Sequence, residues 1–135
     1  MANLGFFADL TSVRLDLWDI DASAEALERI RPDIVFMGAS LQPWWHITQL
    51  PPEVFAELDQ ARFGPWLPMH LTLVHRLMQA VRSSGIQATV VNAAYPDAVG
   101  PVLAAAGLAP DLGIGDVANI VPGLAWPGLR RRPHP

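Results

Sequence analysis

The apolar positions of this chain fall into short runs that turn-forming residues separate. Residues 33–38 contain an uninterrupted apolar run, a pattern typical of a strand buried on both faces of a parallel sheet. Residues 88–91 predict another strand, and residues 112–114 a very short one. Residues 13–17 alternate between apolar and charged side chains, which predicts a strand that precedes the others. The chain is therefore expected to contain four strands.

Helical patterns lie between these strands. Residues 24–31 form one predicted helix, capped by Asp21 or Ser23, and residues 52–62 form a second. The third, over residues 66–82, carries an apolar stripe with spacings of four, three, four and three: Leu67, Leu71, Val74, Met78 and Val81. This order of strands and helices predicts an α/β domain with a parallel sheet.

The last predicted helix depends on the position of Pro101. A proline ring deep inside a helix costs about 3 kcal/mol, so the helix is expected to begin near Gly100, with Pro101 in its first turn. Residues 92–99 are then mostly turn, and Gly107 is the expected C-terminal cap.

Candidate ligand-binding residues follow the predicted strands. In parallel sheets ligands bind where strands end, so the turn beginning at Asn92 is the first place to expect a site. Gly38, Ala39 and Ser40 follow the strand at 33–38, where small residues indicate either a close ligand approach or a plain tight turn. Asp19 is expected either to contact a ribose or adenine or to serve as a helix cap in a solvated turn.

Composition narrows the function classes. The chain has 135 residues, 51% of them apolar, which fits one globular domain, and we expect that domain at residues 1–121 and a Pro/Arg-rich tail at 122–135. A net charge of −4 leaves no basic face for a nucleic acid. Cysteine is absent, and no apolar run approaches the ~20 residues that span a bilayer. We therefore expect a cytoplasmic protein without nucleic-acid or membrane partners.

The other motifs give weaker indications. Residues 113–118 fit the glycine pattern of dinucleotide-binding loops but lack its context, since no acidic residue follows at the required distance. His70 and His75 are five apart on the predicted long helix and point about 140° from each other. Two histidines in that arrangement cannot hold one metal ion, so no metal site is expected, and no catalytic residue is assigned.

The loop at residues 41–52 carries Trp44, Trp45 and His46. Two adjacent tryptophans in a loop indicate a lid over a ligand, a contact with a partner subunit, or a local hydrophobic plug. The partner contact defines a second function hypothesis, in which the chain is a non-catalytic protein-interaction module.

Several segments together resemble the second half of the NAD-binding domain of the lactate/malate dehydrogenase family. They are the run DIVFMGAS at residues 33–40, the long helix, the Asn92 turn with Pro96 and Asp97, the helix ending in Ala106-Gly107-Leu108, and the run Gly113-Ile114-Gly115. The resemblance covers residues 33–120. It implies that Gly38 and Ala39 lie along the cofactor, and that Asn92 bridges the nicotinamide ribose and the substrate oxygen.

The chain departs from that family in four ways. The Asn92 turn is longer, the tryptophan loop replaces the arginine-bearing substrate loop, and the first glycine-rich strand-turn-helix unit and the catalytic histidine domain are missing. Residues 16–39 also resemble extended short-chain dehydrogenases, although no lysine lies four residues after the single tyrosine, Tyr95.

These expectations combine into one hypothesis. The chain is an incomplete three-layer Rossmann-like α/β domain with helices on both faces of its parallel sheet, and a fragment or divergent relative of an NAD(P)-dependent oxidoreductase. Its cofactor is NAD or NADP, bound through Asp19, Gly38, Ala39, Ser40 and Asn92, and a small-molecule substrate contacts Asn92. An uncovered sheet edge predicts either a homo-oligomer or a missing complementary domain.

Overall fold

The computed structural model of the protein describes residues 10–61 and 64–115, with only the backbone at Trp44. These residues form an α/β fold with three strands and four α-helices. In chain order the elements are α1 (Ile20–Ile30), β1 (Ile34–Met37), a 3-10 helix (Trp44–Gln49), α2 (Pro52–Gln60), α3 (Leu67–Ser84), β2 (Thr89–Asn92), α4 (Pro96–Ala105) and β3 (Leu112–Gly113).

The three strands form one parallel sheet in the order β1-β2-β3. Ile34 pairs with Thr89 and Met37 with Asn92, while Val91 pairs with Leu112. Parallel neighbours need a crossover, and α3 and α4 provide the two crossovers. Both helices therefore run from the carboxyl ends of the strands back to their amino ends.

The core lies on one face of this sheet. Side chains alternate between faces along a strand, and the buried positions Met37, Val90 and Asn92 point to the face that packs against α3 and α4. The core cluster is apolar and consists of Met37, Leu73, Val74, Leu77, Met78, Val90, Ala94, Val99 and Leu103. The stripe predicted for the long helix is confirmed, since all five of its positions belong to this cluster or pack against it.

The other face of the sheet is uncovered by any described residue. Ile34 and Phe36 of β1 are 64% and 63% exposed, and Leu112 of β3 is 57% exposed, while Val91 of the central strand between them is buried. The expected second layer of helices is thus not formed by residues 10–61 and 64–115. Helix α1 does not supply it, because its small residues Ser23, Ala24 and Ala26 are buried in a packing that brings it against α3.

The strand predicted at residues 13–17 is wrong. Residues 13–16 have no regular secondary structure, Leu17 begins a turn, and Val13 and Leu15 are exposed. Asp16 ends the segment, because its carbonyl accepts from Asp19 N at 3.0 Å and its carboxylate accepts from Trp18 N at 3.0 Å. The alternating pattern therefore leads into a turn, and the described sheet has three strands instead of four.

Helix α1 begins earlier than the sequence suggested. Its N-cap is Asp19, whose carboxylate accepts a hydrogen bond from Ala22 N at 2.9 Å. Neither Asp21 nor Ser23 caps the helix. Ser23 instead lies inside the first turn of the helix, and its hydroxyl donates to the Asp19 carbonyl at 2.7 Å.

Helix α4 also begins earlier than predicted, at Pro96, with Pro101 in its interior. Pro101 has no N–H to donate to the Asp97 carbonyl, but Gly100 before it lacks the Cβ that would clash with the proline ring. The predicted ending at Gly107 is confirmed. Gly107 has φ 68, its N–H donates to Ala104 O, and Leu108 N donates to Leu103 O, the two bonds of a Schellman ending.

Two parts of the sequence predictions lie outside the described residues. They are the Pro/Arg-rich tail at 122–135 and the end of the glycine pattern from Asp116 onward. Of the helices in the described ranges, none combines the length and the apolar character that a membrane crossing requires.

Candidate functional site

The carboxyl ends of the three strands lie side by side and form the candidate site. Ala93 N donates to Met37 O at 2.8 Å, and Ile114 N donates to Asn92 O at 2.9 Å. These bonds continue the sheet past the strand ends and hold the three exits together. We call the exit residues Gly38, Ala39, Ser40, residues 92–97 and residues 113–115 the carboxyl edge.

The exit of β1 is open to solvent. Gly38 and Ala39 are exposed, and Ser40 is half-buried with its hydroxyl donating to Gln42 O at 2.8 Å. The loop then bonds to the start of α3, because Leu41 N donates to Met69 O at 3.0 Å. The Ser40 hydroxyl therefore closes its own turn, while Gly38 and Ala39 present backbone to any approaching molecule.

The Asn92 side chain is buried and bonds within its own turn. Asn92 is 0% exposed, Ala94 N donates to its Oδ1 at 2.9 Å, and its Nδ2 donates to Ala94 O at 3.3 Å. This is the arrangement of a structural asparagine, whose side chain mimics a backbone turn. The Gly38 and Asn92 exits are adjacent as predicted, but the amide is engaged by the turn.

Tyr95 ends that turn in a strained backbone conformation. Its φ of 52 lies in the left-handed region that non-glycine residues rarely adopt. The ring stacks on His70 of α3, with centroids 4.6 Å apart and an interplanar angle of 18°. The stacking joins the turn after β2 to the first turns of α3.

His70 is the buried titratable group beneath this edge. It is 4% exposed, and burial lowers its pKa from the ordinary value of 6.5 because the charged imidazolium loses solvation. Burial therefore favours the neutral form of His70. The sequence favoured a surface or helix-packing histidine, and the structure shows the packing role.

The glycines at the exit of β3 lie against the first turn of α4. A Cβ at Gly113 would sit 3.0 Å from the Pro96 Cβ, and a Cβ at Gly115 would overlap the Asp97 carboxylate. Close packing of strand on helix thus accounts for both glycines. The Asp97 carboxylate lies where a phosphate would approach, so this run does not form an anion cradle.

Asp19 lies apart from the carboxyl edge. It lines a depression of about 610 Å³ with Asp16, Trp18, Ile20 and Asp21. Arg76 lies over the Trp18 ring at 4.8 Å and donates to the Trp18 carbonyl at 3.3 Å, which places this surface beside the middle of α3. Of the five predicted cofactor residues, the structure brings together Gly38, Ala39, Ser40 and Asn92 but not Asp19.

A second depression, of about 320 Å³, lies at the opposite end of the sheet. It is lined by the C-terminal part of α3, the start of β2 and the segment that follows α4, including Arg82, Val90, Gly107 and Asp111. The Arg82 guanidinium donates to Gly107 O at 2.8 Å across it. Both depressions therefore lie away from the carboxyl edge, which is an exposed surface.

Titratable groups are sparse around the candidate site. Within the two described ranges, no group of three or more histidine, aspartate or glutamate residues is placed to hold a metal ion. At the carboxyl edge the groups that can carry a proton are Tyr95, Asp97 and the neutral His70 behind them. The edge therefore offers exposed backbone and one aromatic ring.

The tryptophan segment forms a 3-10 helix, Trp44–Gln49, instead of an irregular loop. Trp45 is 51% exposed, and its carbonyl accepts the Thr48 hydroxyl at 2.8 Å. An indole exposed by half is not a fully buried plug.

The sequence prediction did not single out Tyr95 and the His70 stack as part of the site. Position 70 lies three residues after Leu67 and four before Val74, so its place beside the apolar stripe indicated burial. No comparable signal marks Tyr95, because a left-handed tyrosine before a proline is unusual.

Comparison of the chain with protein-family models, curated proteins and solved structures found no match.

Proposed function

We propose that this chain is a partial or divergent Rossmann-like domain of the NAD(P)-dependent dehydrogenase type, which binds its cofactor weakly by itself. The observation that carries the proposal is the bond between Ala93 N and Met37 O. It sets the exits of two parallel strands side by side with Gly38 and Ala39 exposed. This is where ligands bind in open α/β sheets.

The role proposed for each residue follows from its contacts. Gly38 and Ala39 present backbone that a ribose or a flat ring can approach closely, because neither has a bulky side chain. Asn92 shapes the turn and does not reach the ligand, since both ends of its amide bond to Ala94. A bound nicotinamide would supply hydride-transfer chemistry, and no residue of this chain is proposed as its catalytic partner.

Weak binding follows from the phosphate end of the cofactor. Dinucleotide folds hold the pyrophosphate with amides at a helix N-terminus. Here the first turn of α4 carries the Asp97 carboxylate against Gly115, and a second negative charge at that place is repelled. The residues present therefore fit the nicotinamide half of a dinucleotide and do not fit its phosphates.

A titration followed by NMR tests the proposal. With NAD or NADP at millimolar concentration, we expect shifts in the amide resonances of residues 38–40 and 93–95. Ala39→Val should weaken that response, because the larger side chain covers the exposed backbone. Ala104→Val, which enlarges an exposed alanine near the end of α4, is the matched control and should leave it unchanged.

Two results would contradict the proposal. One is the absence of any shift at millimolar dinucleotide, and the other is a set of shifts centred away from residues 38–40 and 93–95. Submicromolar affinity would contradict the weak binding specifically, because it would require a phosphate cradle.

A second candidate function is a protein-interaction module, which the exposed indole of Trp45 favours. In that case Trp45→Ser should leave the free energy of unfolding nearly unchanged, since a contact residue is not needed for folding. A loss of more than about 1 kcal/mol would instead indicate that the indole packs locally.

A further inference from the structure

The uncovered face of the sheet is apolar and carries no charge. It is formed by alternate positions of the three strands, Ile34, Phe36, Thr89, Val91 and Leu112. We call these five residues the bare sheet face. Val91 at its centre is 9% exposed, whereas Ile34, Phe36 and Leu112 around it are 57–64% exposed, so the described residues leave the outer parts of this face open to water.

Parallel sheets are almost always covered on both faces, because their crossovers place helices there. In this chain α3 and α4 cover one face only. The bare sheet face therefore fits an apolar helix laid across it.

Helix α2 is an amphipathic helix without a buried residue. Val54 is 39% exposed, and Phe55 and Leu58 are half-buried. These three side chains fall within about 100° around the helix axis, while Glu53 and Glu57 lie on the opposite side. Among the described residues, none of the three belongs to the core cluster or packs against it, so α2 presents an apolar side that lies outside this core and is partly exposed.

We propose that two copies of this chain form a symmetric dimer in which α2 of each copy covers the bare sheet face of the other. Each copy carries two complementary apolar surfaces, the bare sheet face and the apolar side of α2. Within one copy they do not meet, because Phe36 remains exposed. A twofold axis satisfies both surfaces of both copies in one closed arrangement.

Area and charge both support a second copy as the occupant. A large side chain buries about 150–250 Å² in full, so the exposed parts of the bare sheet face amount to roughly 400 Å². The exposed parts of Val54, Phe55 and Leu58 add roughly 200 Å², so each copy buries on the order of 600 Å², the area per partner at the lower end of the range for specific interfaces. The bare sheet face is uncharged, so the acidic α2 meets no like charge there, although the chain has a net charge of −4.

Sedimentation of the full chain and three variants tests the dimer. The wild-type chain should pass from monomer to dimer as its concentration rises. Phe36→Lys and Val54→Asp should each be monomeric throughout, because each places a charge in both contacts of the dimer. Val102→Asp is the matched control, since Val102 on α4 is 40% exposed and Val54 is 39% exposed. It should dimerise like the wild type.

A mixture of two variants tests the arrangement itself. A heterodimer of Phe36→Lys with Val54→Asp has one intact apolar contact, and its other contact pairs a lysine with an aspartate. Mixing the two monomeric variants should therefore restore a dimer. Circular dichroism checks that each variant is folded, and Leu112→Lys replaces Phe36→Lys if the latter is not.

Every other result overturns the proposal. A dimer that Phe36→Lys disrupts and Val54→Asp does not is a sheet-on-sheet dimer. A wild-type chain that stays monomeric at all concentrations has its bare sheet face covered by its own remaining residues or by a different protein. Failure of the mixture to dimerise excludes α2 as the covering element.

Discussion

The Asn92 side chain and the Ala94 backbone are bonded to each other in both directions. Ala94 N donates to Asn92 Oδ1 at 2.9 Å, and Asn92 Nδ2 donates to Ala94 O at 3.3 Å. Both residues are buried at the end of the central strand. The pair fixes the path of the chain from β2 into α4 and therefore the position of Tyr95.

Asn92→Ala should lower the free energy of unfolding by about 1–3 kcal/mol, because it leaves the buried Ala94 N–H without an acceptor. Chemical denaturation measures the loss. Ser40→Ala is the control at the same edge and removes one hydroxyl bond, to Gln42, from a half-buried position. Ser40→Ala should lower the free energy of unfolding by less than Asn92→Ala does. Equal decreases would contradict the structural role of the Asn92 hydrogen bonds.

Asp111 pairs with Val90 through both its backbone and its side chain. Asp111 N donates to Val90 O at 3.0 Å, and Val90 N donates to Asp111 Oδ2 at 2.7 Å. Asp111→Ala removes the acceptor of a strand N–H and should cost about 1–3 kcal/mol. Hydrogen exchange at the Val90 amide should become faster. Asp111→Asn keeps an acceptor oxygen and should retain most of the protection, whereas equal exchange in both variants would refute this explanation.

A side chain at position 115 would occupy the space that the Asp97 carboxylate fills. A Cβ at position 115 overlaps the Asp97 carboxylate, so Gly115→Ala should destabilise the protein, by up to about 1 kcal/mol because the carboxylate can rotate away. In an Asp97→Ala background the same change should cost less. A double-mutant cycle by thermal or chemical denaturation measures the difference, and additive effects would mean that the two residues do not meet.

Protonation of His70 should oppose folding. Burial lowers the pKa of His70 in the folded protein, while the unfolded chain keeps a value near the ordinary 6.5. The unfolded state therefore binds more protons once the pH falls below about 6.5. The stability due to neutral His70 is present above that pH and is lost as the pH falls toward the lowered folded pKa.

Denaturation curves at several pH values measure this loss in the wild-type chain and in His70→Phe. The phenylalanine keeps a ring against Tyr95 but cannot take up a proton, so its stability should depend less on pH between about 5 and 7. An unchanged dependence in His70→Phe would contradict the assignment.

The sequence predicted the elements whose apolar residues recur at a regular spacing within a short segment. The apolar run of β1 and the stripe of α3 gave both elements to within a few residues, because burial on a fixed period leaves few alternatives. The alternation at residues 13–17 failed for the opposite reason. Alternating apolar and polar residues are typical of a half-buried strand. The pattern does not show whether another strand in the fold has a free edge with which this segment can pair.

The candidate site was only partly predictable. That the exits of β1 and β2 meet follows from the parallel sheet, and the structure agrees. Whether Asn92 faces a ligand or its own turn could not be read from the sequence, because both roles require a short amide side chain after a strand. Helix α4 begins earlier than the cost of an internal Pro101 predicts, because Gly100 before it has no Cβ to clash with the proline ring.

The spacing of the strands along the chain has a consequence for the order of folding. Pairing β1 with β2 joins Ile34 to Thr89, 55 positions apart, whereas pairing β2 with β3 joins Val91 to Leu112, 21 positions apart. Closing the longer loop costs about 0.9 kcal/mol more entropy. We therefore expect β2, α4 and β3 to associate in the folding transition state and β1 to join after the barrier. In kinetic terms, a truncation in the core of α4 such as Leu103→Ala should slow folding, whereas Met37→Ala in β1 should mainly speed unfolding.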